Sequence, residues 1–462
     1  MRQSMKIGCI VIGNKITHTQ KALEGGKDLD LSNCTVWDEK VDEKLITSIQ
    51  ERITGVLPKD TECFFECVTS ENQMIDVKEA DVYIAIPFGN KNDSLFAAFD
   101  VVFSALYSKN KPVVFSVLSY KEIWSYGSVF FPYFVRDARK IDKYLGMKNN
   151  VFVSKDLENL EEILSALQVK FKISNSTALC IGEPMYEPFH SWNWGYEMVR
   201  ALQEKFGIKW SHISSDKFLE IYQKWDKEFD KEKIMSELNE DRTPAGYDIT
   251  KAEKMYHVCK ELIAEAGADV FTINCLWSIV HNQCKTTACY TLSKLNDEGI
   301  VSACEADVTT LLNMMIATYA SDAPVFMLNP YHFPEDNKLF VSHCTSPTLH
   351  SFNSDKQDKV NAYSYYEIPE LPCGLQIIKE EGPVTVTGIS HDRLDKMIII
   401  RGRIVRNTAF STCRTQLELD VEGDIKEIVE NYQGRHWALV YGDQSKKIAA
   451  ADEILGIDAK IF

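Results

Sequence analysis

Three unbroken apolar runs mark the first third of the chain, at residues 6–13, 81–89 and 112–118. Runs without polar alternation suit parallel strands buried on both faces. Amphipathic stretches such as 43–56 lie between them and read as helices, which predicts a doubly wound α/β domain. No G-x-G-x-x-G turn follows the first strand, so a dinucleotide site is not expected. A second set of strand candidates follows at 177–182, 268–274, 300–304 and 324–328, with helical stretches at 186–206, 216–239 and 249–266. The Lys/Glu-rich part at 226–242 reads as a solvated helix face. From about residue 345 the pattern shortens to β runs at 382–388, 396–401, 416–420 and 437–441, with turn residues between them. That texture predicts a small, mostly antiparallel barrel or sandwich. The expected fold is therefore α/β: two Rossmann-like doubly wound domains at 1–172 and 173–345, then a β-rich domain at 346–462.

The length of 462 residues agrees with about three domains at roughly 150 residues each. A composition of 45% hydrophobic and 26% charged residues excludes long disorder. The formal charge of −16, from 67 acidic and 51 basic side chains, argues against a nucleic-acid platform. No apolar run reaches the roughly 18 residues of a membrane span. The opening residues run straight into a strand-like segment without a signal-peptide pattern, so a cytoplasmic protein is expected. The 13 cysteines are scattered through apolar segments and read as reduced core residues.

Candidate chemistry concentrates between Cys289 and Pro347. The strand candidate 300–304 leads directly to Glu305, and after Asp307 the apolar positions Val308, Leu311, Leu312, Met315 and Tyr319 mark a helix. Glu305 thus stands at the carboxyl end of a strand, where open α/β sheets bind ligands. The next two strands would bring Asn329 and His343 to the same edge. A carboxylate, an amide oxygen and an imidazole suit Mn²⁺, Mg²⁺ or Fe²⁺ better than a structural zinc. Each residue also has a purely structural reading: Glu305 in a helix first turn, Asp307 as an N-cap, His343 as a hydrogen-bonded core residue, Asn329 before Pro330 as a turn.

Taken together, Thr287-Ala-Cys289, Leu295-Asn-Asp-Glu-Gly-Ile300, Cys304-Glu-Ala-Asp-Val308 and Ser342-His-Cys344 resemble the L-fucose isomerase and L-arabinose isomerase superfamily. So do Gly382-Pro-Val-Thr385, Gly402-Arg-Ile404, Cys413-Arg414 and especially Gly434-Arg-His-Trp-Ala-Leu-Val-Tyr-Gly-Asp443. The resemblance covers most of residues 175–462. It implies trimers or hexamers of the same two Rossmann-like domains and β-rich domain. It also implies that Glu305 is a metal ligand and acid/base group, and that His343 and His436 are ligands. The family's second carboxylate, before His343, is replaced here by Leu328 or Asn329. An amide oxygen ligates a cation but cannot shuttle a proton, so Asp307, Glu335 or Asp336 would have to supply that carboxylate.

The resemblance implies aldose–ketose isomerisation through an enediolate at Mn²⁺ or another divalent cation such as Mg²⁺, Co²⁺ or Fe²⁺. Glu305 would move the proton with Asp307 as helper; without a second carboxylate, a hydride shift gains ground. Tyr186, Phe189, Trp192 and Trp194 offer faces for a monosaccharide, with core packing as their other reading. Arg401, Arg403, Arg406, Arg414 and Arg435 are dense for an acidic chain. They suit subunit interfaces or, as with Arg414, an anionic group on the sugar. The rival functions are a sugar-binding or assembly protein on an isomerase scaffold, and a metal-dependent epimerase or aldolase.

Overall fold

A computed structural model describes residues 4–13, 43–68, 77–88, 105–106, 109–116, 140, 150–185, 193–236, 238, 249–275, 283–333, 337–365 and 371–462. The chain divides into two compact units, Met1–Phe171 and Lys172–Phe462. No helix among the described residues is long and apolar enough to cross a membrane.

The first unit holds a five-stranded parallel sheet. Its strands are β1 (Met5–Gly13), β2 (Thr61–Val68), β3 (Val82–Phe88), β4 (Val113–Ser116) and β5 (Val151–Ser154), in the order β2-β1-β3-β4-β5. Helix α1 (Glu43–Thr54) precedes β2, and α2 (Leu157–Asn175) follows β5. Ile10, Tyr83, Ala85, Val113, Phe115 and Val151 form the core. The apolar runs at 6–13, 81–89 and 112–118 become β1, β3 and β4. By contrast, β2 is half-buried along most of its length, so its glutamates hide the strand from a hydrophobicity pattern.

The second unit opens with β6 (Thr177–Ile181), α3 (Asn193–Phe206), β7 (Lys209–Ile213), α4 (Ser215–Lys224), α5 (Lys231–Ser236), α6 (Thr250–Glu265) and β8 (Val270–Ile273). Next come α7 (Cys289–Asp297), β9 (Val301–Ala303) and α8 (Val308–Ser321). The four strands form a parallel sheet in the order β7-β6-β8-β9.

An antiparallel barrel follows. Its strands are β10 (Phe326–Phe333), β11 (Lys338–His343), β14 (Gly382–Ile389), β15 (Lys396–Asn407), β16 (Thr415–Val421) and β17 (Trp437–Tyr441). They run in the order β14-β17-β10-β11-β16-β15, and pairing of β14 with β15 closes the circle. A separate hairpin joins β12 (Lys359–Ser364) to β13 (Pro372–Ile378). After α9 (Ile425–Glu430) and α10 (Ser445–Leu455), β18 (Asp458–Ile461) adds to β15 in parallel. Alternate residues Phe326 and Leu328, Leu339 and Val341, Leu417 and Leu419, and Trp437 and Leu439 fill the core, as a period of two demands.

The α/β class with a terminal antiparallel β structure is therefore as expected. One placement differs. The run at 324–328 and the strand expected to end at His343 do not extend the parallel sheet: β10 and β11 are antiparallel to each other and belong to the barrel. The four-residue connection from Phe333 to Lys338 suffices for a hairpin, whereas parallel neighbours need a crossover of about a dozen residues or more.

Candidate metal centre

The site is built where the parallel sheet meets the barrel within the second unit. Strand β9 ends at Ala303, and the chain turns through Cys304, Glu305 and Ala306 before Asp307 opens α8. Glu305 and Ala306 both take left-handed backbone, at φ 61° and 51°. For residues with a Cβ this costs about 1–2 kcal/mol each. The turn is pinned from three sides: Ala306 N–H donates to Ile273 O at 3.0 Å, Met185 N–H to Ala306 O at 2.9 Å, and Asp307 N–H to Cys304 O at 3.1 Å. Strain held this firmly at one point marks a place where a side chain is being aimed.

Two histidines meet that turn from the barrel. His343 ends β11, in register with Thr415 of β16, and continues the inward row of Leu339 and Val341. His436 immediately precedes β17, after Gly434 at φ 69°. A Cβ on Gly434 would lie 2.5 Å from Ile389 O, so the approach needs glycine. Glu305, His343 and His436 are all buried, and one ligand atom from each falls within 4.8 Å of the others. His436 Nε2 lies 3.7 Å from Glu305 Oε2. The two imidazoles meet edge to face, with ring centroids 5.6 Å apart. Among the described residues, this is the one group of three His, Cys, Asp or Glu side chains so arranged.

Asp307 sits behind His436. It caps α8, with Oδ1 accepting from Thr310 N–H at 2.9 Å and from Thr309 Oγ1 at 2.8 Å. Oδ2 accepts from Thr310 Oγ1 and from His436 Nδ1, both at 2.8 Å. Burial pushes this carboxyl upward, but the bonds to His436 and Thr310 outweigh it and hold it below the usual 3.8. An ionised carboxylate only accepts, so Nδ1 of His436 carries a proton and Nε2 is the ring nitrogen left facing Glu305. That Nε2 is buried and has no hydrogen-bond partner. A buried polar atom without a partner is costly, and a cation beside Glu305 would satisfy it. His343 is prepared similarly: Nδ1 lies 3.0 Å from Thr345 Oγ1, which leaves Nε2 for a ligand. Burial, then the neighbouring His436 and Arg435, push its pKa down to about 3, so the ring is neutral. Two imidazoles and one carboxylate fit a divalent ion with mixed nitrogen and oxygen ligands.

The remaining expected residues fall elsewhere. Asn329 is not at a strand end; it lies within β10, opposite Ser342. Strand alternation gives it the face opposite His343. Arg414 lies beside the site through its backbone, donating its N–H to Cys344 Sγ at 3.4 Å. Arg401 and Arg406 instead pair with Glu422 and Glu418. Trp192, Tyr186 and Phe189 lie outside the described residues, as do Glu335 and Asp336, and Trp194 is described only in its backbone within α3. Sequence reasoning did not single out Thr345 or the Thr309–Thr310 pair. Their only trace was spacing, two residues after His343 and two to three after Asp307.

No family model matches the chain. Comparison with curated proteins finds distant relatives of one kind. The sulfoquinovose isomerase of Clostridium sp. (strain MSTE9) is 24% identical over 215 residues, which is 45% of this chain and 47% of the relative. That of Alkalicoccus urumqiensis is 26% identical over 196 residues, covering 41% and 43%. That of Priestia aryabhattai is 23% identical over 222 residues, covering 46% and 48%. The chain spans a little under half the length of the curated relatives it matches.

Proposed function

We propose that this protein is a metal-dependent aldose–ketose isomerase, with Glu305, His343 and His436 holding the ion. The observation that carries the reading is the open Nε2 of His436, fixed in tautomer by Asp307 and directed at a carboxylate 3.7 Å away. A divalent cation supplies, when bound, Lewis acidity toward the sugar's carbonyl and adjacent hydroxyl. Glu305 takes the proton from C2 of the aldose and returns it to C1. Asp307 acts through His436 rather than on the sugar, because both of its oxygens are already hydrogen-bonded. His343, kept neutral by burial, stays a ligand and does not exchange protons.

The substrate we propose is an aldose with an anionic group, as in the sulfoquinovose that the relatives are named for. Two arginines support it. Arg435 adjoins His436 in sequence and lies close enough to depress the His343 pKa. Arg414 adjoins Thr415, the cross-strand partner of His343.

The test is incubation of the Mn²⁺-loaded protein with sulfoquinovose and neutral aldoses in D₂O, followed by NMR. The ketose should form from the anionic sugar, with solvent deuterium entering the transferred position. Conversion without deuterium would assign a hydride shift and remove the proton role from Glu305. Neither conversion nor exchange with any aldose would leave a binding protein.

A further inference from the structure

The sulfurs of Cys275 and Cys304 lie 3.2 Å apart, and both residues are buried. The two thiols come from neighbouring strand ends: Cys275 lies two residues beyond β8 and Cys304 one beyond β9, and these strands pair in parallel. Cys304 is peptide-bonded to Glu305, so the thiol pair and the candidate ligand share one backbone segment. That segment is the strained turn, with left-handed φ at Glu305 and Ala306. It is tied to the Cys275 side by the bond from Ala306 N–H to Ile273 O.

We propose that Cys275 and Cys304 form a reversible dithiol–disulfide pair whose oxidation withdraws Glu305 from the cation site. The second half of this rests on the metal reading given above; the first half does not. The oxidant is a peroxide. One sulfur attacks a peroxide oxygen and breaks the O–O bond, its thiol proton passing to the departing oxygen, which gives a sulfenic acid and releases water or an alcohol. The second sulfur then displaces the hydroxyl of the sulfenic acid, its proton leaving with that oxygen as water. The two thiols together lose two electrons and two protons, and the peroxide takes up both. A disulfide bond is roughly 2.05 Å long, so closure draws the sulfurs together by roughly 1 Å. Ligand distances in a cation site normally hold to within about 0.2 Å. Because Cys304 has no residue between it and Glu305, the turn absorbs the motion at the ligand itself. Transient disulfides of this kind are compatible with a reducing compartment.

The test uses the full chain, treated with hydrogen peroxide and then with dithiothreitol. Non-reducing peptide mapping should recover a fragment joining Cys275 to Cys304. Titration with Mn²⁺, followed by electron paramagnetic resonance of the free ion, should show affinity falling at least tenfold on oxidation and returning on reduction. C275S, checked for folding by circular dichroism, should keep its Mn²⁺ affinity under peroxide, and C304A should do the same. A fragment joining Cys344 to Cys289 or Cys413 in place of the expected one would overturn the assignment, since Cys344 also lies beside those two thiols. So would a Cys275–Cys304 link that leaves Mn²⁺ affinity unchanged. If the reduced protein takes up no Mn²⁺ at all, the metal reading falls, and the thiol pair stands or falls on the cross-linked fragment.

Discussion

Among the described residues of the second unit, two buried clusters of charged and imidazole groups are finished differently. In one, Lys379 is fully buried and pairs with Asp358 Oδ2 at 3.0 Å. It also donates to Pro347 O at 2.6 Å and lies over the Tyr441 ring, 5.5 Å from its centroid. Asp358 Oδ1 meets His350 Nε2 at 2.8 Å and accepts from Glu380 N–H at 3.2 Å. Asp297 nearby accepts from Thr348 N–H, Thr348 Oγ1 and Leu349 N–H. Burial pulls the Lys379 pKa down and Asp358 pulls it back, with a net lowering. In the other cluster, Asp307 is equally well bonded, yet the histidine that it holds ends in a buried nitrogen without a hydrogen-bond partner. Both clusters contain a carboxylate–histidine pair at 2.8 Å. What separates a strut from a site is whether the polar groups turn to one another or converge on a common point.

That contrast is sharpened by substitutions on each side of it. The largest effect is expected at the site: Glu305→Gln should lower isomerisation about a thousandfold and abolish stoichiometric Mn²⁺ uptake. Product NMR and elemental analysis would read the two losses separately. On the strut, Lys379→Met should destabilise the fold by about 3–5 kcal/mol, because Asp358 would be left as a buried uncompensated charge. Urea unfolding measures this, and Mn²⁺ affinity per folded molecule should be unchanged. A strut variant that lost its metal while remaining folded would erase the distinction. Asp307→Asn comes next. Asparagine caps a helix as well as aspartate does, so stability should hold, while metal affinity drops about 10- to 100-fold as His436 loses its carboxylate partner.

The smallest effect concerns Asp452 in α10, which is buried with no hydrogen-bond partner on either oxygen. It has no companions of the kind that surround Glu305, and burial raises its pKa well above 3.8. A carboxyl with a higher pKa folded than unfolded is not penalised at low pH, where both states are protonated. Stability is then lost as the pH climbs from about 3.8 toward the folded value. Asp452→Asn should flatten that slope and raise stability at neutral pH by on the order of 1 kcal/mol. Unfolding midpoints across pH would show it. A buried acid alone, on this account, is a liability and not a site.

The strands of continuous apolar sequence were legible because burial on both faces writes itself into every residue; β1, β4, β6 and β17 are of this kind. Edge strands such as β2 and β7 were not, since one exposed side admits Glu62, Glu66, Lys209 and His212. Glu305 could be read locally, from a strand that stops just before a helix cap. His436 could not: it is 129 residues from the aspartate that orients it, and only resemblance singled it out. Asn329 was misread for a related reason. Its strand was assigned to the parallel sheet, and the antiparallel partner that turns it away from His343 comes from a hairpin that apolar patterning does not orient.

The ligand set at Glu305, His343 and His436 is tested most directly by anomalous diffraction from crystals of the protein soaked in Mn²⁺, recorded on both sides of the manganese edge. The account predicts one strong peak within bonding distance of a Glu305 carboxylate oxygen and of Nε2 of both His343 and His436. No peak there, or a peak bound by other residues while these three stay unligated, would contradict it.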